Sequence, residues 1–311
     1  MKIKEFKAGD TINQPLLVAS SNGGTTNKGD AYLSLELQDD TGTIDAKLWK
    51  VSDEQKKICQ AGKVIGVNGE VILYSGRVQL KIFSVEETQG YKASDFREAS
   101  PVNKDDLRQG ISKAIDSIED DTLSLIVKSI YEDMSDEFFD HPAASKNHHE
   151  YVGGLATHTL NMYNLADNAC KQYPLLNRDL LVAGVLLHDT GKMEELSGGV
   201  VNDYTFEGKM LGHISIGAMK LYDKAKELNI ENEEKIVLLI HLILSHHGKY
   251  EFGSPVLPQI PEAFALNIID DFDAKMEMMR KEMNKLKEGD FSPRNFALDN
   301  RQLYKMHKEE E

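Results

Sequence analysis

Residues 180–192 read Leu180-Leu181-Val182-Ala183-Gly184-Val185-Leu186-Leu187-His188-Asp189-Thr190-Gly191-Lys192. An apolar run ends abruptly in two adjacent ionisable side chains, and Gly191 then supplies a helix stop. Packing does not explain this ending, because burying a histidine beside an aspartate is costly unless the pair binds something. The same pattern recurs on either side. His158 follows Gly153-Gly154 near the start of a predicted helix over 155–172, and His213 opens another over 213–228. His246-His247 closes the apolar run Ile236 to Leu244 ahead of Gly248, and Asp270 ends Leu266-Asn267-Ile268-Ile269. Further helices are predicted over 104–118, 122–134, 178–187, 233–246 and 263–287.

Imidazole nitrogen and carboxylate oxygen together suit borderline divalent metals such as Mn, Fe, Co, Ni and Zn. A carboxylate can bridge two ions, whereas a histidine gives each ion one nitrogen. Two ions roughly 3.5–4 Å apart can clamp a phosphodiester for in-line attack. Donors at the ends of several packed helices converge on one cavity. A lone histidine is more often an ordinary core or surface residue. His241, set among Leu238, Leu239, Leu242 and Ile243, fits that description, and His141 and His307 read as solvated.

Upstream the period changes from helical to 2. Asp30 to Asp40 alternates, with Leu33, Leu35 and Leu37 on one face and Tyr32, Ser34 and Glu36 on the other. Thr43 to Trp49 alternates again. Ser52 is a plausible cap for a short helix to Gln60, and strands follow over 63–73 and 77–85. With Pro15 to Ser20 in front, three strands, a helix and two strands follow the element order of an OB-fold. Residues 21–30, rich in Ser, Gly, Thr and Asn, read as a mobile loop. The predicted fold is therefore multidomain, α plus a small β part. An OB-fold β-barrel over 1–90 precedes a linker over 91–103. An all-α helical bundle over 104–300 has its core at 145–275, and a charged, fraying tail spans 301–311.

Composition limits the function. The 311 residues carry a net charge of −15, so bulk polyanion binding is excluded. Residues 1–95 are nearly balanced, with 12 Lys+Arg against 13 Asp+Glu, so contact with nucleic acid is expected there. The two cysteines exclude a disulfide scaffold. No apolar run suits a membrane span and no secretory signal opens the chain, so a soluble, cytoplasmic protein is expected, with no membrane partner.

The set His158, His188-Asp189-Thr190-Gly191-Lys192, His213, His246-His247 and Asp270 resembles the HD-domain metal-dependent phosphohydrolases over about 145–275. Gly253-Ser254-Pro255 stands where the HD-GYP cyclic dinucleotide enzymes carry Gly-Tyr-Pro. Together with the OB-fold, Asn147-His148-His149-Glu150, Gly153-Gly154-Leu155 and Ser245-His246-His247-Gly248 resemble the YhaM family of 3′–5′ exoribonucleases. The resemblance implies two divalent ions, with manganese the working metal and iron or cobalt as alternatives. One ion would take His158, His188, Asp189 and Asp270. The other would share Asp189 and take His213 and His246, with His247 as a ligand or its neighbour. Asp271 and Asp273 are rivals to Asp270. Lys192 would neutralise charge at the scissile phosphate or be an ordinary helix lysine. His148 and His149 would touch substrate or pack at a helix start.

The implied activity is hydrolysis of single-stranded RNA, and also single-stranded DNA, to nucleoside 5′-monophosphates in RNA turnover. Asp189 and Lys192 would carry the catalysis. Tyr32 and Trp49 would offer stacking surfaces, with Lys47, Arg77 and Lys81 on phosphates. Alternatively, Trp49 plugs the end of the barrel. Residues 104–140 would pack on the HD motifs or on another subunit, and a homo-oligomer is expected. Two rival readings are an HD-type small-nucleotide phosphohydrolase, which needs no OB-fold, and a non-catalytic single-strand-binding protein, which needs no complete ligand set.

Overall fold

Alternation in the first hundred residues builds a cylinder whose inside is apolar. The computed structural model describes all residues except 27–28, 75, 98–99, 135, 145–148, 199–202 and 308–311. It separates into one unit over Met1–Ala99 and Gly198–Asp203 and another over Ser100–Ser197 and Tyr204–Glu311.

The first unit contains β1 (Thr11–Thr25), β2 (Ala31–Asp39), β3 (Gly42–Trp49), α1 (Asp53–Ile58), β4 (Val64–Tyr74) and β5 (Arg77–Glu87). They close into a barrel in the order β1-β2-β3-β5-β4. Only the β3–β5 join is parallel. This is the Greek-key arrangement of an OB-fold. Leu33, Leu35 and Leu37 of β2 meet Ile44, Ala46 and Leu48 of β3 inside it. Ser52 caps α1 by accepting the Gln55 N–H, while the Gln55 side chain accepts the Ser52 N–H.

The expected loop over 21–30 is corrected in its first half. β1 runs on to Thr25 and pairs with β2 from Ser21–Leu35 to Thr25–Ala31. Small polar residues signal a loop by propensity, but strand pairing depends on the neighbouring strand. Gly24 faces Tyr32 across the ladder, and a Cβ there would lie 2.4 Å from the tyrosine ring. The bare glycine thus makes room for an aromatic ring lying across β1.

The second unit is helical: α2 (Lys104–Asp116), α3 (Asp121–Asp133), α4 (Gly154–Gln172), α5 (Arg178–Leu187), α6 (Lys192–Glu195), α7 (Phe206–Glu227), α8 (Glu234–Ser245) and α9 (Pro261–Lys285). Helix α5 is the apolar run read above, and every residue from Leu180 to Leu187 is buried. Asn103, Asp120, Asn177 and Thr205 cap their helices through side-chain oxygens. Helix α7 starts before His213, contrary to expectation, and breaks at Gly212, whose φ of 71° is left-handed. Two glycines hid its first turn. Gly208 is one, and it abuts Glu195, whose carbonyl oxygen would lie 2.2 Å from a Cβ.

The tail is also corrected, as far as it is described. The Lys305 ammonium donates to the carbonyls of Met283 and Leu286 at the end of α9, groups a helix leaves unsatisfied. No helix among the described residues is long and apolar enough to cross a membrane.

Candidate functional site

Five helix segments deliver the polar residues to one buried place. His158 comes from the first turns of α4, and His188 and Asp189 from the end of α5. His213 follows the Gly212 break, His246 caps α8, and Asp270 lies within α9. Asp189 is at the centre. Its Oδ2 is 3.2 Å from His188 Nε2 and 3.9 Å from His158 Nε2. Its Oδ1 is 3.5 Å from His213 Nε2 and 3.7 Å from His246 Nε2. Asp270 Oδ1 lies 3.2 Å from His158 Nε2. Among the described residues the donors form three groups: His158 with His188 and Asp270, His213 with His246 and His247, and, behind His158, His149 with His158 and Asp273. Within each group the donor atoms lie within 4.8 Å of one another.

Each ring is turned the right way by its other nitrogen. His188 Nδ1 donates to the Val185 carbonyl at 2.8 Å, and His246 Nδ1 to Ile243 at 2.7 Å. His247 Nδ1 donates to Phe252 at 2.7 Å. His213 Nδ1 is 3.0 Å from Glu195 Oε1, and His158 Nδ1 is 2.7 Å from Asp273 Oδ2. Carbonyls and carboxylates only accept, so Nδ1 of each ring donates, and Nε2 of His158, His188, His213 and His246 is turned toward Asp189. Nε2 of His188, His213 and His246, with Oδ1 of Asp189, are buried and have no hydrogen-bond partner among the described residues. Converging buried acceptors are unfavourable unless a cation receives them. The residues present therefore fit a pair of divalent ions.

Electrostatics agree. Burial alone would raise the Asp189 carboxyl, but the Lys192 ammonium and the adjacent His188 ring hold it well below the usual carboxylate range. Burial would likewise raise Asp270, and its bond to His158 outweighs that. Burial, with His247 and His188 adjacent, pushes His246 well down and keeps it neutral. Burial would lower His158, yet its bonds to Asp270 and Asp273 raise it to about 9. Lys192 stays a buried cation, its Nζ on Asp189 Oδ2.

The other expected positions divide. Asp271 is on the surface with Lys275, and Asp273 lies behind His158, so Asp270 is the acid that joins His158 and His188. His149 is corrected. It is only 2% exposed and bonded to Asp273 and Tyr151, so it is not a substrate contact. His148 lies outside the described residues. His141 is buried rather than solvated, and His241 accepts the Gln259 N–H. Glu195 and Tyr151 went unnoticed in the sequence, and Asp273 was read only as a rival to Asp270. Their only signal is that a ligating histidine needs an acceptor for its second nitrogen.

On the barrel, Tyr32 and Trp49 are a cross-strand pair with ring centroids 5.1 Å apart. Trp49 is 48% exposed, which corrects the plug reading: the pleat turns Leu48 inward and Trp49 outward. Lys47 Nζ lies 5.2 Å from the Tyr32 ring centre, and Lys47 pairs with Lys81 on β5. Lys81 in turn lies 5.8 Å from the exposed ring of Phe83, which sequence reasoning missed. Arg77 is at the start of β5, four residues from Lys81.

Comparison with known proteins assigns residues 155–275 to the HD domain and residues 19–88 to an OB-fold nucleic acid binding domain. The chain is 43% identical over 306 residues to the 3′-5′ exoribonuclease YhaM of Geobacillus sp. (strain WCH70), covering 97% of this chain and 94% of that one. Among solved structures, the second OB-fold domain of replication protein A from Methanococcus maripaludis is similar in its solution NMR form. It shows 20% identity over 29% of this chain and 96% of that chain, at a TM-score of 0.24. A crystal structure of a domain of the same protein shows 22% identity over 28% and 91%, at a TM-score of 0.25. At such scores the barrel is identified by its own strand order. With an OB-fold, an HD domain and a relative matched along nearly its whole length, the chain belongs to the YhaM family of 3′–5′ exoribonucleases.

Proposed function

We propose that this chain is a metal-dependent 3′–5′ exoribonuclease that shortens single-stranded RNA to nucleoside 5′-monophosphates, with two manganese ions as its working metal. The observation that carries the reading is Asp189, one oxygen toward His188 and His158 and the other toward His213 and His246. Divalent ions held by these residues would supply Lewis-acid polarisation of the scissile phosphodiester and a more acidic attacking water. The protein's part is to hold the donors. Asp189 joins the two groups around it, and the Nδ1 bonds keep the Nε2 atoms aimed inward. Lys192 keeps Asp189 ionised and sets a fixed positive charge where the phosphate gains negative charge. The first unit collects the strand. Tyr32 and Trp49 stack bases without regard to sequence, while Lys47 and Lys81 meet phosphates.

The test is a 5′-labelled single-stranded RNA incubated with Mn²⁺, with Fe²⁺ or Co²⁺, or with EDTA, beside a matched DNA. The expected result is a ladder shortening from the 3′ end with Mn²⁺ and an intact strand with EDTA. Asp189→Asn should lower the rate by more than the ~100-fold upper range for losing a group that merely orients a ligand. Undiminished cleavage by this variant would refute the assignment.

A further inference from the structure

His149 lies outside the two donor groups around Asp189, yet its backbone is strained to hold it. Its φ is +44°, left-handed for a residue with a side chain, a strained conformation that persists only where the surroundings enforce it. The surroundings do enforce it. The His149 carbonyl accepts the Ala143 N–H at 2.9 Å, and it occupies the place where any Cβ on residue 154 would fall, 1.9 Å away. Only glycine at 154 permits this loop. The strain leads to no surface contact, since the side chain is buried. It leads to Asp273. His149 Nε2 is 2.7 Å from Asp273 Oδ2, the same oxygen that receives His158 Nδ1 at 2.7 Å.

The protons along this chain can be placed. Asp273 only accepts, so both imidazoles donate to it. His149 then has its proton on Nε2, and its Nδ1 accepts from the Tyr151 hydroxyl at 2.7 Å. Tyr151 thus donates to His149, His149 to Asp273, and His158 to Asp273 from the opposite side. His158 is left with its Nε2 turned toward Asp270 and Asp189.

We propose that His149 is a positioning residue: with Tyr151 and Asp273 it fixes the ring of His158 and thereby sets how tightly the His158–His188–Asp270 group holds its ion. This inference rests on the metal reading of the cluster. One oxygen shared by two imidazoles explains why a histidine, with its flat donor, is useful here. An aspartate with a single partner could swing, whereas one clamped between two rings cannot.

The experiment is calorimetric titration of Mn²⁺ into the full-length protein stripped with EDTA. Wild type, Asp189→Asn, His149→Ala, His149→Gln and Tyr151→Phe are compared, each checked by circular dichroism. Wild type should bind two ions. His149→Ala should weaken one of them by about 10–100-fold, the range for losing an outer-shell partner of a ligating histidine. Its RNA cleavage should return toward the wild-type rate as Mn²⁺ is raised. His149→Gln, which keeps a donor toward Asp273, should restore most of the affinity. Tyr151→Phe, which removes one hydroxyl, should show a smaller loss in the same ion even if His149→Ala misfolds. Wild-type affinity in both His149→Ala and Tyr151→Phe, with Asp189→Asn impaired, overturns the role of His149 and leaves the metal centre standing. Absence of Mn²⁺ binding in wild type overturns both.

Discussion

Gly154 has no room for a side chain, because a backbone oxygen stands 1.9 Å from where its Cβ would be. Gly154→Ala must displace that loop, and the melting temperature should fall by an amount equivalent to about 1–3 kcal/mol, as for overpacking elsewhere. Glu195 is the only side-chain partner of His213 Nδ1 among the described residues. Glu195→Gln should lower Mn²⁺ affinity about 10-fold or more, measured by titration, with the fold intact. These residues also show how far the sequence could be read. His188-Asp189 was legible because an apolar run ends on it. Asp270 and Asp273 are one helical turn apart on one face of α9, so spacing cannot separate an acid that joins His158 and His188 from one that braces His158 from behind. Glu195 lies in a four-residue helix after a turn, too short to show any period.

Among elements, α7 is the least regular, and its irregularity is what presents His213. The chain leaves the helical path at Gly212, φ 71°, and re-enters it on the histidine. Gly212→Ala costs on the order of 1–3 kcal/mol for the backbone alone, because φ 71° with ψ 151° is a region essentially confined to glycine. A straightened helix would also swing His213 away, so Mn²⁺ affinity should fall along with the melting temperature. On the barrel, the outward row of Tyr32 and Trp49 contributes little to the core. Replacing both by Ala should weaken single-stranded RNA binding by about 1–3 kcal/mol per stacked base, read by fluorescence anisotropy in EDTA, with the melting temperature nearly unchanged. Element order was legible because alternation survives in β2 and β3. The end of β1 was not, because Ser21 to Thr25 carry loop-like side chains and owe their strand geometry to pairing with β2.

At the scale of the molecule there are two cores, one around the barrel leucines and one around α5. Ion binding belongs to the second. An ion at about 100 times its dissociation constant stabilises the folded state by about 2.7 kcal/mol. EDTA should therefore lower the calorimetric transition of the helical unit and leave that of the barrel in place. A single shifted transition would show that the two cores unfold together. The barrel carries one more consequence. β3 and β5 are joined only at Ala46–Leu80, Lys47–Lys81 and Leu48–Ile82, whereas β4 and β5 stay paired from Ile65–Glu87 to Tyr74–Arg77. A cylinder breathes first where its staves are least glued. Deuterium should enter the amides of that short join before those of the β4–β5 ladder. Because Lys47 and Lys81 are the middle pair of the join, a strand of RNA laid across them acts as a hoop, and exchange there should slow when RNA is added.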